Sequence, residues 1–395
     1  MLRPRPSHTA IAVGAAATVI GSLPTLLTGA LAPQLTVALS FGTAGLGVVF
    51  AVQSGVAAIA SIPLGSVVDR LGASRSLRLA MATTALISLW IALAVNSFAI
   101  FVVLLTLMGA VKRVIEPAAN RLLINRVRPP RLGLAFGMKQ SAPPASAMLA
   151  GLSVPLIAVA WGWQGPYVLA AALATILAVA VRRHRPVAPS GAVSTDQAAS
   201  EREAAFASDR PTLAVLSIAF GLANGASITI TAFYVSGAVA AGASSEAAGT
   251  LLALGSIAAI VARLILGVIA DRLVGSHLRV CSGLLAAGAV GLALLASGDP
   301  RLGAGGVLLA LTGTWGFNGL FWFAMVRANP SAPGGIIGKI APGALVAGSL
   351  SPLAFGLVAE RHGYGYGWTI SSTMAVLAAV GMLMGQRRLL RLGIT

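Results

Sequence analysis

The sequence predicts an all-α integral membrane protein, with twelve transmembrane helices forming two pseudo-symmetric six-helix bundles. Three observations carry that prediction. Of 395 residues, 57% are hydrophobic and only 9% are charged, with a mean hydropathy of +0.90; soluble domains carry about 25% charged residues. The apolar residues fall in runs that match a bilayer core, which takes about 20 residues per helix. A 25-residue stretch also recurs, 202 residues further along. Backbone N–H and C=O groups in lipid must bond within their own segment, so such runs are helices. The alternating pattern of a membrane barrel strand is not visible.

The spans are predicted at about 10–32, 44–67, 77–96, 98–122, 134–159, 163–182, 212–240, 246–269, 279–297, 303–326, 333–357 and 367–386. The opening "MLRPRPSH" is basic and lacks a small-residue cleavage site, so it reads as a cytoplasmic tail. The first span carries Thr25 and Thr28 beside Pro24, and the second ends in "GSVVDR". The fourth carries Lys112, Arg113, Glu116 and Arg121, with Pro117 expected to kink it. The fifth opens on Lys139, Gln140 and Ser141. After the sixth comes 183–211, rich in Ala, Ser and Pro and holding four of the ten acids, a flexible linker with a short surface helix near 199–207. The seventh span holds Asn224, Thr229, Thr231 and Tyr234; the eighth holds Arg263 and ends in "GVIADR". Cys281, the single cysteine, falls in the ninth as a small core residue. Trp315, Asn318 and Trp322 mark the tenth, and Lys339 lies early in the eleventh. The domains are therefore 1–182, a cytoplasmic linker 183–211, and 212–395.

The connections alternate in charge. One set holds Arg3/Arg5, Arg70/Arg75/Arg78, Arg126/Arg128/Arg131, Arg182/Arg183/Arg185, Arg272/Arg279, Arg327 and Arg387/Arg388/Arg391, while the other holds only Arg301 and Arg361. By the positive-inside rule the first set and both termini are cytoplasmic, in a bacterial-type plasma membrane. This distribution accounts for the net charge of +17 without a nucleic-acid partner.

Residues 47–71, "GVVFAVQSGVAAIASIPLGSVVDRL", match 249–273, "GTLLALGSIAAIVARLILGVIADRL", at ten of 25 positions, including Gly65/Gly267, Asp69/Asp271 and Arg70/Arg272. A repeat of this size points to a two-half architecture.

Here the chain resembles the major facilitator superfamily of secondary transporters, whose second-to-third-helix signature is roughly Gly-x-x-x-Asp-Arg-x-Gly-Arg-[Arg/Lys]. Gly65, Asp69, Arg70 and Gly72 match; Ala73 and Ser74 stand where a basic pair is usual, with Arg75 one step later. The second copy keeps Gly267, Asp271 and Arg272, then drifts. The resemblance implies two bundles rocking about a central cavity. It also implies a cytoplasmic gate in which Asp69 faces the start of the eleventh span and pairs with Arg126 or Arg121. Asp271 would pair with Arg327.

Charges within spans cost several kcal/mol unless they face a partner or water, so they are candidate functional groups. Six bases (Lys112, Arg113, Arg121, Lys139, Arg263, Lys339) stand against one acid, Glu116. Glu116 is within i,i+4 reach of Lys112 and i,i+3 reach of Arg113. Such an excess of positive charge suits an anion. The substrate-binding candidates are thus Arg263, Lys339, Lys139, Lys112 and Arg113, and Glu116 is the proton-coupling candidate. The Arg263 slot, with Lys339, also resembles the arginine–lysine pair of oxalate/formate exchangers and monocarboxylate transporters. Arg121, near a helix end, reads as snorkelling toward headgroups. All four histidines (His8, His184, His277, His362) are expected in loops or tails.

The leading expectation is a secondary transporter of a small organic anion. The alternative is a proton-coupled drug exporter, although the fifth span reads "SAPPASAMLAGLSVP" where those members carry Gly-x-x-x-Gly-Pro. A receptor on a transporter scaffold is a remote third reading, because no loop is long enough for a soluble domain. The expected partners are a small anionic molecule, the bilayer and protons. No metal-ligand cluster, nucleotide-binding loop or catalytic triad pattern is present, so neither an enzyme nor a cofactor is expected.

Overall fold

The structure is a computed structural model that describes residues 6–126, 138–181, 205–273, 275–329 and 333–394. All regular structure in these residues is helical. The long helices are α1 Pro6–Ala30, α2 Thr43–Leu71, α3 Ala73–Ala94, α4 Phe98–Arg126, α5 Ala142–Ser153, α6 Gln164–Ala180, α7 Arg210–Ala240, α8 Ser245–Ile269, α9 His277–Ala296, α10 Pro300–Ala328, α11 Pro333–His362 and α12 Tyr364–Arg391. A short helix, Ala32–Ala38, follows α1. Among the described residues eleven segments are long and apolar enough to cross a membrane, α5 counting as part of the continuous span Met138–Trp161; α6, with 17 residues, is shorter. At 1.5 Å per residue it still reaches about 26 Å.

The helices run past the apolar segments that predict them. α2 continues through Asp69 and Arg70 to Leu71, and α12 continues through Arg387 and Arg388. Gly72 ends α2: its φ of 76° is accessible to glycine at no steric cost, and its N–H closes on the Val68 carbonyl at 3.0 Å. Gly363, at φ 90°, makes the equally tight break between α11 and α12. Pro117 sits inside α4, which stays continuous. Pro155 acts differently. It has no N–H to give the Gly151 carbonyl, and the backbone widens into a π-helical segment, Val154–Ala158, before α5 resumes to Trp161.

The chain forms two compact units; one boundary, at 189/190, falls within the linker expected at 183–211, and the others fall at 230/231 and 257/258. Residues 231–257, the end of α7 and the start of α8, pack with 1–189; the second unit is 190–230 with 258–395. In the first unit α1 packs on α4 and α5, α2 on α4, and α3 on α6 and α4. Its core is small-residue rich, with Ala17, Ile20, Leu77, Met81, Ile115, Ala118, Leu122 and Ala174 buried together. Gly151 on α5 meets Gly249 on α8 backbone to backbone: a Cβ on Gly151 would lie 2.5 Å from the Gly249 carbonyl oxygen. Small residues let the two backbones approach this closely.

In the second unit α9 packs extensively on α10 and α12. Glycine again sets the approach, since a Cβ on Gly306 would fall 2.8 Å from the Gly291 carbonyl oxygen. α7 and α11 cross at Gly221 and Gly343, where Ser217 Oγ donates to the Ile340 carbonyl (3.0 Å) and accepts from the Gly343 N–H (3.1 Å). Phe220, Phe317, Phe321 and Trp322 form an aromatic cluster in this core. Phe206, on the short helical turn that ends the linker, is fully buried in the same core. That turn occupies 205–208; the rest of the surface helix expected at 199–207 lies outside the described residues.

The doubled phrase folds in two ways. "GSVVDR" is helical throughout, whereas α8 stops at Ile269 and Ala270–Arg272 tighten into a 3₁₀ turn. His277, expected in a loop, is instead buried at the start of α9, its Nε2 3.0 Å from the Ala270 carbonyl oxygen. His8 and His362 lie within α1 and at the end of α11, again helix positions rather than loops; His184 is outside the described residues. Cys281 is buried, as expected of a core residue.

Candidate functional site

Asp69, at the end of α2, forms an ion pair with Arg121 of α4, and Arg121 Nη1 also donates to the Val68 carbonyl at 3.5 Å. Of the two partners the sequence offers Asp69, Arg121 occupies the position; the Arg126 side chain lies outside the described ones. Arg121 therefore does more than reach for headgroups, because it ties α4 to the end of α2. Arg70, Arg272 and Arg327 are exposed. The Asp271 side chain, and with it the expected Asp271–Arg327 pair, is outside the description. Gly267 has open space where a Cβ would sit, so no neighbouring helix requires a glycine there.

The first unit gathers a charged group on α4 and α5. Lys112, Arg113 and Glu116 share a face of α4 through i,i+3 and i,i+4 spacing. Lys139, at the entry to α5, is buried with 5% exposure. Glu116 interacts electrostatically with Lys139, Lys112 and Arg113, so one carboxylate answers three cations. The sequence links Glu116 to Lys112 and Arg113; the Lys139 interaction comes from the fold. Seven residues beyond Arg113 on the same helix is Asn120, whose Oδ1 is buried without a hydrogen-bond partner, as is Arg113 Nε.

The second unit holds Arg263 on α8, whose Nε donates to the Trp315 carbonyl of α10 at 2.7 Å. The guanidinium carbon lies 5.7 Å from the Trp315 ring centroid, within cation–π range. Trp315 is fixed in turn by its own Nε1, which donates to the Ser227 carbonyl at 3.2 Å. Ser227 Oγ donates to the Thr314 carbonyl. The arginine thus rests on a tryptophan held by α7. Lys339, paired with Arg263 in the sequence reading, is exposed and donates to the Ala207 carbonyl at the end of the linker. Lys139 and Lys339 occupy equivalent places in the repeat and opposite environments in the structure.

Four of the hydroxyls and amides singled out from the sequence, Thr25, Thr28, Asn224 and Thr229, join helices. Gln53 Nε2 donates to Thr25 Oγ1 (2.8 Å) and the Leu105 carbonyl (3.0 Å), and Thr28 shares a 3.0 Å hydrogen bond with Tyr167. Asn224 donates to the Ala344 carbonyl at 3.4 Å, and Thr229 meets Ser371 at 2.9 Å. Gln53, Tyr167 and Ser227 escape sequence reading because nothing local sets them apart from other polar residues in apolar runs.

Long apolar helices in two compact units define a polytopic membrane protein. The sequence profile of the Major Facilitator Superfamily matches residues 10–352, and the chain belongs to that family. No curated protein matches it in sequence. Among solved structures, it is similar to a bacterial homolog of the human lysosomal transporter Spinster in an inward-facing, occupied conformation, at 14% identity over 99% of each chain with a TM-score of 0.76. The unoccupied form of that protein gives 12% identity over 99% of each chain and a TM-score of 0.75. A variant of the Escherichia coli fucose:proton symporter gives 14% identity, 96% coverage of this chain and 99% of its own, and a TM-score of 0.65. These likenesses show that the chain shares the fold of those proteins.

Proposed function

We propose that the protein carries a small, carboxylate-like organic anion across the membrane by alternating access between its two sides. One observation carries this reading: the membrane-embedded charges are cationic in excess in both units, with Lys112, Arg113 and Lys139 against Glu116 in one and Arg263 over Trp315 in the other. Charges at such depth persist where they meet a ligand, a partner or water. A guanidinium presents a planar fork that fits a carboxylate. Glu116, the acid among these cations, is the group through which a proton would be coupled.

Uptake by proteoliposomes of the purified protein tests the reading, with labelled mono- and dicarboxylates in one arm and a lipophilic cationic dye in the other. Carboxylate uptake is expected, and Arg263→Ala should lower it roughly 10–100-fold, the equivalent of one charged hydrogen bond of about 1.5–3 kcal/mol. Dye transport without carboxylate transport would favour a drug exporter and overturn the anion reading. Glu116→Gln should remove the pH dependence of uptake; an unchanged profile would exclude Glu116 from coupling.

A further inference from the structure

Where the linker meets the second unit, a cavity of about 650 Å³ opens between the linker's last turn, α7 and α11. Arg210 and Lys339 stand on its wall with Ser208, and Leu213 and Ala214 supply an apolar floor. We infer that this cavity is a binding site for a phosphate ester, distinct from the charges proposed to meet the transported anion.

Among the described residues at the cavity the charge balance favours an anion. Asp209 lies beside the cavity, but its carboxylate is turned into its own helix, where it accepts from the Thr212 N–H (3.4 Å) and hydroxyl (2.5 Å). The helix start is thereby capped, and the site rests on the two cationic side chains rather than on the helix end. Lys339 Nζ donates to the Ala207 carbonyl, which uses one of the three N–H groups of an ammonium. That bond fixes Lys339 on the linker, so it is already positioned at the wall. Arg210 adds a planar fork that can take two oxygens of one phosphate. Leu213 and Ala214 have no use for an inorganic ion, but they suit the carbon side of an ester. That chemistry has two sources, the headgroup of an anionic lipid and a soluble organic phosphate. An occupant would bridge the linker's end, already anchored by buried Phe206, to α11.

The test uses the full-length protein. In one arm, unfolding temperature is compared in nanodiscs of phosphatidylcholine alone and with phosphatidylglycerol added. In the other, glycerol 3-phosphate is titrated into protein in neutral detergent. Binding to the folded state alone raises stability, so an upward shift of a few degrees is expected in at least one arm. A shift in the first arm assigns a lipid headgroup, and one in the second a soluble ester. Arg210→Gln with Lys339→Gln should abolish most of the shift, either single substitution about half of it, and Arg210→Lys with Lys339→Arg little. Arg387→Gln with Arg388→Gln, on α12, should leave it intact. A shift equal in wild type and the Arg210/Lys339 double variant, or no shift in either arm, would overturn the site.

Discussion

At the scale of single residues, a buried polar group proposed to meet the ligand can be set against one that holds helices together. Arg263 and Gln53 make the contrast. Gln53 is 5% exposed and spends its amide N–H groups on α1 and α4. Gln53→Leu should therefore cost stability, about 1–2 kcal/mol for interhelical hydrogen bonds in a membrane, seen as a lower unfolding temperature in detergent. Arg263 bonds a carbonyl with its Nε, and the planar group stays against Trp315. Arg263→Lys keeps the charge but loses the fork and the stacking, so uptake should fall nearly as far as in Arg263→Ala while unfolding temperature changes little. Near-normal uptake in Arg263→Lys would mean that charge alone suffices. Arg263 was legible in the sequence because a charge in an apolar run is conspicuous. Its Trp315 platform was not, because the two residues lie 52 positions apart and meet only when α8 packs on α10.

At the scale of elements, glycine positions decide how closely helices cross, and sequence alone does not reveal which of the 46 glycines matter. Gly343 faces the Ser217 backbone with no room for a methyl group, whereas Gly267, within the doubled phrase, has open space. Gly343→Ala should separate α7 from α11, break the Ser217 hydrogen bonds and lower unfolding temperature by several degrees. Gly267→Ala should be neutral or stabilising, by up to about 1 kcal/mol, through helix propensity. Equal losses from both substitutions would contradict this assignment of close contacts. The helices themselves were legible from hydropathy. Their ends were not, because backbone bonding carries a helix beyond the apolar run into charged residues, as at Asp69–Leu71 and Arg387–Arg391. The π-helical segment in α5 was also hidden, since proline signals a disturbance without specifying its form.

At the scale of the whole molecule, the repeat was legible as identity between two stretches, and its divergence was not. The first copy ends as an intact helix with Asp69 on Arg121; the second ends in a 3₁₀ turn with buried His277 at the Ala270 carbonyl. If alternating access operates here, the copies contribute unequally. The Asp69 and Arg121 side chains are 61% and 45% exposed, and an exposed pair of this kind adds only about 0–1 kcal/mol to stability. Removing it should leave the unfolding temperature nearly unchanged. A difference of about 1 kcal/mol between two conformations nevertheless changes their ratio roughly fivefold. Asp69→Asn should accordingly lower uptake several-fold at constant unfolding temperature, and exchanging the charges, Asp69→Arg with Arg121→Asp, should recover part of the loss. Asp271→Asn should have the smaller effect, because the 3₁₀ turn has already taken its segment out of the helical geometry that aligns Asp69 with Arg121. Equal losses from Asp69→Asn and Asp271→Asn would show that the two copies still work as equivalent latches. A fall in unfolding temperature that tracks the loss of uptake would instead make the Asp69–Arg121 pair a brace of the first unit rather than a part of its switching.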